Sequence, residues 1–485
     1  MGFFTRLAGR FRDMFFHTNS TDIGRAFGVQ LVSSAEMKAA IEQWDKISKG
    51  APAWLNADDD IKTINMARHI ADTRAKLTCL DIGITVSGSP RADYIQTVAD
   101  KLVKRLPVNV ATADRLGGMV FRWNGKNWDF AMPGDFGITV KDSDNGIGGC
   151  IFANHTTQNG NHYTRLEYHH FEGDQYVIQN KAFTNRAVAS THDYALGRPV
   201  PLTDVQKWAH LSPEVRINGL EKPLFAFYRV PGANDVDSAS PLGMSVFSKA
   251  IEELRAIDIA VSRKDGEVED SKHITFVGQA LKQSADNRGN KLPRFVQPLG
   301  ISIEDAANKA VHEHVPTLLT EARIKDINFN LSMAGVKSGF SEGVFVLDGQ
   351  TGMITATQVE ADDRDTIQTI KEDRDALKDA IEVALYGVDV MATLYGLAPI
   401  GVYEANCNFG DITYSYEEDR QRWYSYAVQG KVPFWYYLVK FEGLAEDEAK
   451  ELIAMAKEEN AEEGLFEQYR PGGKNNNDKK NKDEE

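Results

Sequence analysis

The longest helical pattern in the chain constrains its fold most. From about Gln358 to Leu394, the residues Ile370, Leu377, Ile381, Leu385 and Val388 recur at spacings of 7, 4, 4 and 3, which returns them to one helical face. The two halves of this pattern differ. Between Glu360 and Asp379 there are eight acids and four bases, net −4, so the first half reads as a charged, unburied helix. The half after Ala380 is apolar enough to be buried.

A chain of 485 residues has room for that core, since at roughly 100–200 residues per domain it suggests two to four structural units. With 42% hydrophobic and 26% charged residues it reads as globular and soluble rather than disordered or fibrous. No run approaches the roughly 18 apolar residues of a membrane span, which excludes an integral helical membrane protein. Lys+Arg 55 against Asp+Glu 70 gives a net charge of −15. That balance disfavours a sequence-reading DNA binder, which needs a basic face to displace counterions from phosphates. Cys79, Cys150 and Cys407 are odd in number and far apart, without metal-ligand spacing, and read as reduced, buried thiols of a protein made in the cytosol.

Along the chain, residues 1–18 place Phe4, Leu7, Phe11, Met14 and Phe15 on one face of an amphipathic helix, which reads as packing on the body or a neighbouring subunit more than on a membrane surface. Residues 35–105 read mainly as helix, at Met37 to Ile47 and Ile61 to Ala75, with Asp58 to Asp60 acidic at a helix start. From Gly117 to about Tyr228 the period becomes two. Asn124-Gly125 marks a two-residue turn, and a second hairpin pairs Tyr163 to His170 with Gln175 to Gln179 around Glu172-Gly173-Asp174. The first half is therefore α+β.

Ser240-Pro241 opens a long helical stretch, followed by short strand-like pieces, HITFVG and RFVQPL, around the polar insert KQSADNRGNK. A second helix, Thr320 to Ala334, aligns Ile324, Ile327, Leu331 and Ala334. The glycine-punctuated segment GFSEGVFVLDGQTGMITATQV reads as a strand, Val344 to Leu347, and a protruding loop. Late in the chain, DITYSYEEDRQRWYSYAVQGKVP reads as strand, helix and loop. The aromatic run WYSYAVQGKVPFWYYLVKF holds only Lys431 and Lys440 as bases, so core or subunit contact is favoured over nucleic-acid stacking. An acidic helix then turns Ala449, Leu452, Ile453 and Ala456 inward, and the tail 471–485 lacks residues able to pack and is expected to be disordered.

Enzyme signatures are missing. There is no GxxxxGK[ST], GxSxG or HExxH. Gly146-Ile147-Gly148-Gly149 reads as a turn in a β-rich region rather than a dinucleotide fingerprint. His312-Glu313-His314 and His169-His170 each supply at most two ligands, and no neighbouring pattern completes a metal site. No cofactor, metal or catalytic group is nominated. Among 70 carboxylates, a catalytic acid/base pair cannot be singled out.

The order of these elements resembles the portal proteins of tailed bacteriophages, in the branch carrying a segment like GFSEGVFVLDGQTGMITATQV before the long helix. EYHHFEGDQYVIQN is similar to the family's wing hairpin, and SKAIEELRAIDIAVSRKDGEVEDSKHITFV to its first stem helix running into the clip. SYEEDRQRWYSYAVQGKVPFWYYLVKFEGLAEDEAKELIAMAKEE resembles its late wing and crown helices. The likeness spans roughly residues 10–465. Two departures are the uncapped helix start LAEDEA and a long, polar clip stretch, Lys272 to Val315.

The resemblance implies an α+β portal fold: N-terminal wing (1–239), first stem helix (240–271), small α/β clip (272–315) and second stem helix (316–339). A wing strand and tunnel loop (340–357), long helix and late wing (358–440), crown helix (441–470) and the tail (471–485) complete it. It further implies a ring of twelve copies at one capsid vertex of the virion, assembled in the host cytoplasm with major capsid or scaffold protein. A terminase drives double-stranded DNA through that ring, which then retains the DNA, carries a head–tail adaptor and serves ejection. No membrane is involved. The tunnel loop would present Asp348, Gly349, Gln350, Thr351, Gly352, Met353, Ile354 and Thr355 to DNA. Lys282, Gln283, Ser284, Asp286, Asn287, Arg288 and Lys291 would form the clip interface. The absence of an ATP site agrees, since the motor is then another chain, and a wall with net −15 per copy repels phosphates instead of gripping them. Two other classes remain open: a minor head or scaffold protein without a channel, and a hydrolase with an unrecognised carboxylate pair.

Overall fold

The computed structural model describes residues 20–55, 61–141, 147–186, 196–270, 274–278, 296–299, 311–314, 319–346, 364–410 and 416–455. Helix α1 (Ser20–Phe27) brings Ile23 onto a sheet formed further along the chain. Helix α2 (Ala35–Ser48) starts where the Ser34 hydroxyl accepts from the Met37 amide at 3.1 Å, satisfying one of the free donors of a helix start. Its Met37, Ile41, Trp44 and Ile47 recur every three or four residues and are buried. Helix α3 (Met66–Thr78) begins five residues later than its apolar spacing predicts. The Lys62 and Ile64 amides are committed to Ser262 and Asp258, and Asn65 is left-handed at φ +54°, so the chain there cannot join the helix. Asp58 to Asp60 lie outside the described residues.

Strand β1 (Gly83–Gly88) leads to α4 (Pro90–Val103), capped by Ser89 with Pro90 in its first turn, where a missing amide costs nothing. Helix α5 (Leu106–Leu116) ends at Gly117, φ +94°, where a Cβ would stand 2.2 Å from the Gly243 carbonyl oxygen. Only glycine permits that backbone approach.

Strands β2 (Gly118–Trp123) and β3 (Trp128–Ala131) form a hairpin whose loop spans residues 124–127. The expected two-residue turn is thus a four-residue one, because the Asn124 side chain accepts from the Lys126 and Asn127 amides at 3.0 and 2.8 Å and folds the loop around itself. Strands β4 (Phe136–Lys141), β5 (Ile147–Gln158), β6 (Asn161–Glu172) and β7 (Gln175–Arg186) then form an antiparallel meander. Ile147 to Gly149 belong to β5 rather than to a turn. A Cβ at Gly149 would meet Thr139 Oγ1 at 2.4 Å, so this glycine serves close strand approach. The β6–β7 hairpin pairs Glu172 with Gln175 across Gly173, φ +60°. Strands β8 (Arg198–Val200) and β9 (Glu214–Asn218) both pair with β7, and β10 (Ala226–Arg229) pairs with β2.

The expected helix from Ser240 begins later, as a single 3₁₀ turn at Ser248–Ala250 and then α6 (Ile251–Asp270). The Gly243 amide donates to Gly117 and the Val246 amide to Asp114, which takes from this stretch the donors a helix would use. Strands β11 (Ile274–Gly278), β12 (Val296–Leu299) and β13 (Val311–His314) form a separate sheet, parallel between β11 and β12 and antiparallel between β11 and β13. Helix α7 (Thr320–Lys337) follows. The expected strand at Val344 to Leu347 is a turn over residues 342–345. Gly343 at φ +89° reverses the chain so that Phe345 is buried, and Leu347 lies outside the described residues.

Helix α8 (Arg364–Leu394) is the spine of the fold, packing on β2, β10, α3 and α4. Its first half is not solvated as expected: Thr366, Ile370, Asp373 and Leu377 are all buried. Strand β14 (Tyr403–Asn408) returns to pair with β1, and the first compact unit ends at Gly410.

The second unit begins at Asp411, inside the stretch 358–440 that the sequence assigns to one region. Here α9 (Tyr416–Val428) and α10 (Phe434–Glu442) bury Ala427, Tyr437 and Phe441 against Trp423, Phe434 and Leu438, an aromatic core of their own. A further helix, α11 (446–455), turns Ala449 inward as expected, but Leu452 is 47% exposed. Ala456, the N-terminal residues 1–19 and the tail 471–485 lie outside the described residues. Among the described residues no helix is long and apolar enough to cross a membrane.

Candidate functional site

Helices α6 and α7 form an antiparallel pair. Leu254, Ile257 and Ala260 of α6, with Ile327, Leu331 and Ala334 of α7, all lie in one buried cluster. Charges latch the pair at both ends. Glu253 meets Lys337 at one end and Glu267 meets Arg323 at the other, four helical turns away on each helix. Glu267 also accepts from the Leu319 amide at 2.6 Å. That amide and then the Arg323 guanidinium hold the Glu267 carboxyl below the usual carboxylate range. One acid thus caps the start of α7 and ties it to the end of α6. The chain between Asp270 and Leu319, which carries the β11–β13 sheet, therefore leaves and re-enters at one place.

The base of the pair is fixed in the core. Buried Asp258 accepts from Trp54 Nε1 and the Ile64 amide, both at 3.0 Å. At the far end of α7, Phe340 and Phe345 pack edge to face at 4.9 Å between centroids, and His69 of α3 meets Phe345 at 5.7 Å.

A second closed path follows at once. The Ser341 amide donates to Thr366 Oγ1 at 2.8 Å and the Thr366 amide to Ser341 Oγ at 3.3 Å. The segment between them begins and ends at this reciprocal pair, in which each hydroxyl serves the other residue's amide. Both segments singled out by sequence thus spring from pinned bases. Their candidate residues, Lys282, Gln283, Ser284, Asp286, Asn287, Arg288 and Lys291 in the first and Asp348 to Thr355 in the second, lie outside the described residues.

The spine carries a buried charge cluster that sequence reading missed. Arg74 of α3 grips Asp373 of α8 through Nε–Oδ2 at 2.6 Å and Nη2–Oδ1 at 2.8 Å, and Nη1 donates to the Ser338 carbonyl at 3.2 Å. Asp114 of α5 accepts from the Tyr228 hydroxyl at 3.3 Å. Burial, then the Asp373 carboxylate, raises its carboxyl well above the ordinary range. Next to Asp373, Arg374 donates to the carbonyls of Leu77, Thr78 and Gly410, closing the end of α3. A signal existed in the sequence: Asp373 stands three residues after Ile370 and four before Leu377, on the buried stripe itself.

Asp114 and Asp373 are the carboxylate pair a hydrolase reading would select. Both are wholly buried. The small cavity bordered by Leu31, Lys38, Phe136 and Leu242 does not include them. Asp373 is sealed in an ion pair with Arg74 and Asp114 is held by the Tyr228 hydroxyl, so the two carboxyls join α3, α5, α8 and the end of α7.

A second cluster sits in the meander. Glu167 accepts from Arg122 at 3.0 and 2.7 Å, from Arg165 at 2.8 Å and from Asn154 Nδ2 at 3.5 Å, and it also meets His169 Nε2 at 3.0 Å. Burial alone would raise the Glu167 carboxyl, but the Arg122 guanidinium overrides it and holds it well below the usual range. His169 Nδ1 meets the Tyr176 hydroxyl at 2.9 Å, so this histidine is a satisfied core residue. His312, Glu313 and His314 lie on β13. Among the described residues no group of three potential metal ligands forms. The three cysteines are free, and burial pushes the Cys79 thiol up to about 12, which leaves it unreactive.

Compared with protein-family models and with curated proteins, the chain shows no significant match to either.

Proposed function

We propose that this chain is the portal protein of a tailed bacteriophage: a ring of copies at one capsid vertex through which a terminase drives DNA and to which a head–tail adaptor later binds. The observation that carries the reading is the latched antiparallel pair α6–α7 with a small three-stranded sheet between its members in sequence, directly followed by the spine helix. That is the order of stem, clip, stem and long helix implied by the resemblance. The net charge of −15 supports it, because a channel wall that repels phosphate lets a duplex slide.

On this reading α6 and α7 are the stem, β11–β13 belong to the clip that meets terminase and then adaptor, and residues 348–355 line the narrow part of the channel. Twelve copies, a place in the virion, contact with capsid or scaffold protein, and DNA retention and ejection belong to the same proposal. The chemistry would reside in partner chains, and this chain would act without catalysis or cofactor. Negative-stain imaging of the purified protein tests it. Rings with a central hole are the expected result, and uniform single-copy particles refute it.

A further inference from the structure

The end of α8 and the strand after it carry an unusual surface. Among the described large apolar residues, Ile400 and Val402 are the most exposed, each at 86%, and Tyr395 nearby is 67% exposed. Leu394 and Leu397 are exposed beside them. From Leu394 to Asn408 the only charged residue is Glu404, in a chain of which 26% is charged. A run of exposed apolar residues of this kind marks a contact rather than a solvent face.

Strand β14 adds an open edge to that patch. Among the described residues it pairs only with β1, and a two-stranded sheet is marginal unless something extends or covers it. The fold itself closes the β1 side: Gln96 accepts from the Val86 amide at 2.7 Å and donates to the Ile84 carbonyl at 2.9 Å. Because Ile84 and Val86 face outward there, their partners Cys407 and Ala405 face outward on β14. Among the described residues no hydrogen bond reaches those outward groups. Among the described residues one edge is plugged and the other stands open to strand addition.

We propose that residues 394–402 and the open edge of β14 form a contact between copies of this chain. Electrostatics selects that occupant. Two bodies of net charge −15 repel, and they associate at least cost through a surface free of acids. Here the chain supplies one with a single carboxylate. The inference rests on the ring reading above and names the surface that would serve it. Seated against a different face of the next copy, such a contact closes a ring when its rotation divides the circle.

The test places a photo-crosslinking p-benzoylphenylalanine at position 400, with position 108 as control, since Val108 is 73% exposed on α5. In parallel, Ile400→Asp with Val402→Asp is titrated by concentration, and mass is measured throughout. The inference expects a ladder of cross-linked multimers from position 400 alone. It also expects the double variant to raise the concentration for half-assembly by about tenfold or more, with an unchanged circular dichroism spectrum. Intact rings with neither effect overturn the inference and leave the portal reading standing. A cross-link confined to one chain also overturns it, because the patch is then covered by that chain's own segments. Cross-linked pairs without rings support the contact and refute the portal reading. A monomer without cross-links refutes both.

Discussion

Arg74 and Asp373 stand 299 positions apart in the chain and meet through two hydrogen bonds of 2.6 and 2.8 Å in the protein interior. This pair fixes α3 to the spine helix at the level where the turn after α7 also arrives. Removing one partner leaves the other charge buried and unmatched. Asp373→Ala is therefore expected to cost about 3–5 kcal/mol, read as a lower urea midpoint with unchanged slope. Arg74→Met with Asp373→Leu should recover most of the loss, since an apolar pair of similar volume is often neutral. A single variant within ~0.5 kcal/mol of the parent would show that the pair is not a structural tie.

Asp114 sets a pH dependence. Its folded carboxyl takes up a proton more readily than the unfolded one, through burial and the neighbouring Asp373 carboxylate. The stability it contributes is thus complete below the ordinary carboxylate range and is lost as pH rises toward the folded value. Asp114→Asn keeps an acceptor for Tyr228 and removes the titration. Relative to the parent, the variant should gain stability as pH rises above the ordinary carboxylate range, until the folded carboxyl has lost its proton. A difference in melting temperature that stays constant as pH rises from below the ordinary carboxylate range to neutrality would contradict this.

His155 gives the opposite slope. Burial, then His162, lowers its pKa to about 4, whereas the unfolded side chain titrates near about 6.5. The unfolded chain therefore binds the extra proton first, and stability falls as pH drops through that window. His155→Asn should lessen the loss between pH 6.5 and 4 by up to about 3 kcal/mol. Parallel denaturation curves for the two proteins across the window would count against it.

The Glu267 latch should act locally. Glu267→Ala removes the acceptor for the Leu319 amide and the partner of Arg323. Hydrogen exchange in residues 263–270 and 319–325 should quicken by about tenfold, with the core of α8 unaffected. Unchanged exchange there would mean that the apolar contacts alone hold the helix ends.

How far the sequence foretold this architecture depended on how local each signal was. The spacing of Ile327, Leu331 and Ala334, and the alternation around Gly173, depend on near neighbours, and the helix and hairpin stand where those patterns put them. Where distant backbone intervened, local reading failed. Residues 240–250 carry helical spacing, but Gly117 and Asp114 claim the amides of Gly243 and Val246. The acidic half of α8 looked solvated because its partner Arg74 comes from a helix that spacing alone does not pair with it. The pairing of β1 with β14 had no local signature at all, and with it the open edge was invisible. The pinned bases of the two candidate segments were missed for the same reason: Glu267 with Leu319, and Ser341 with Thr366, are contacts between chain ends that only the fold brings together.

The mass of the purified assembly, measured by light scattering after size exclusion at physiological salt, tests the portal reading most directly. Twelve copies of a 53.9 kDa chain should give one species near about 650 kDa. A stable, folded species of 53.9 kDa at micromolar concentration would contradict the account.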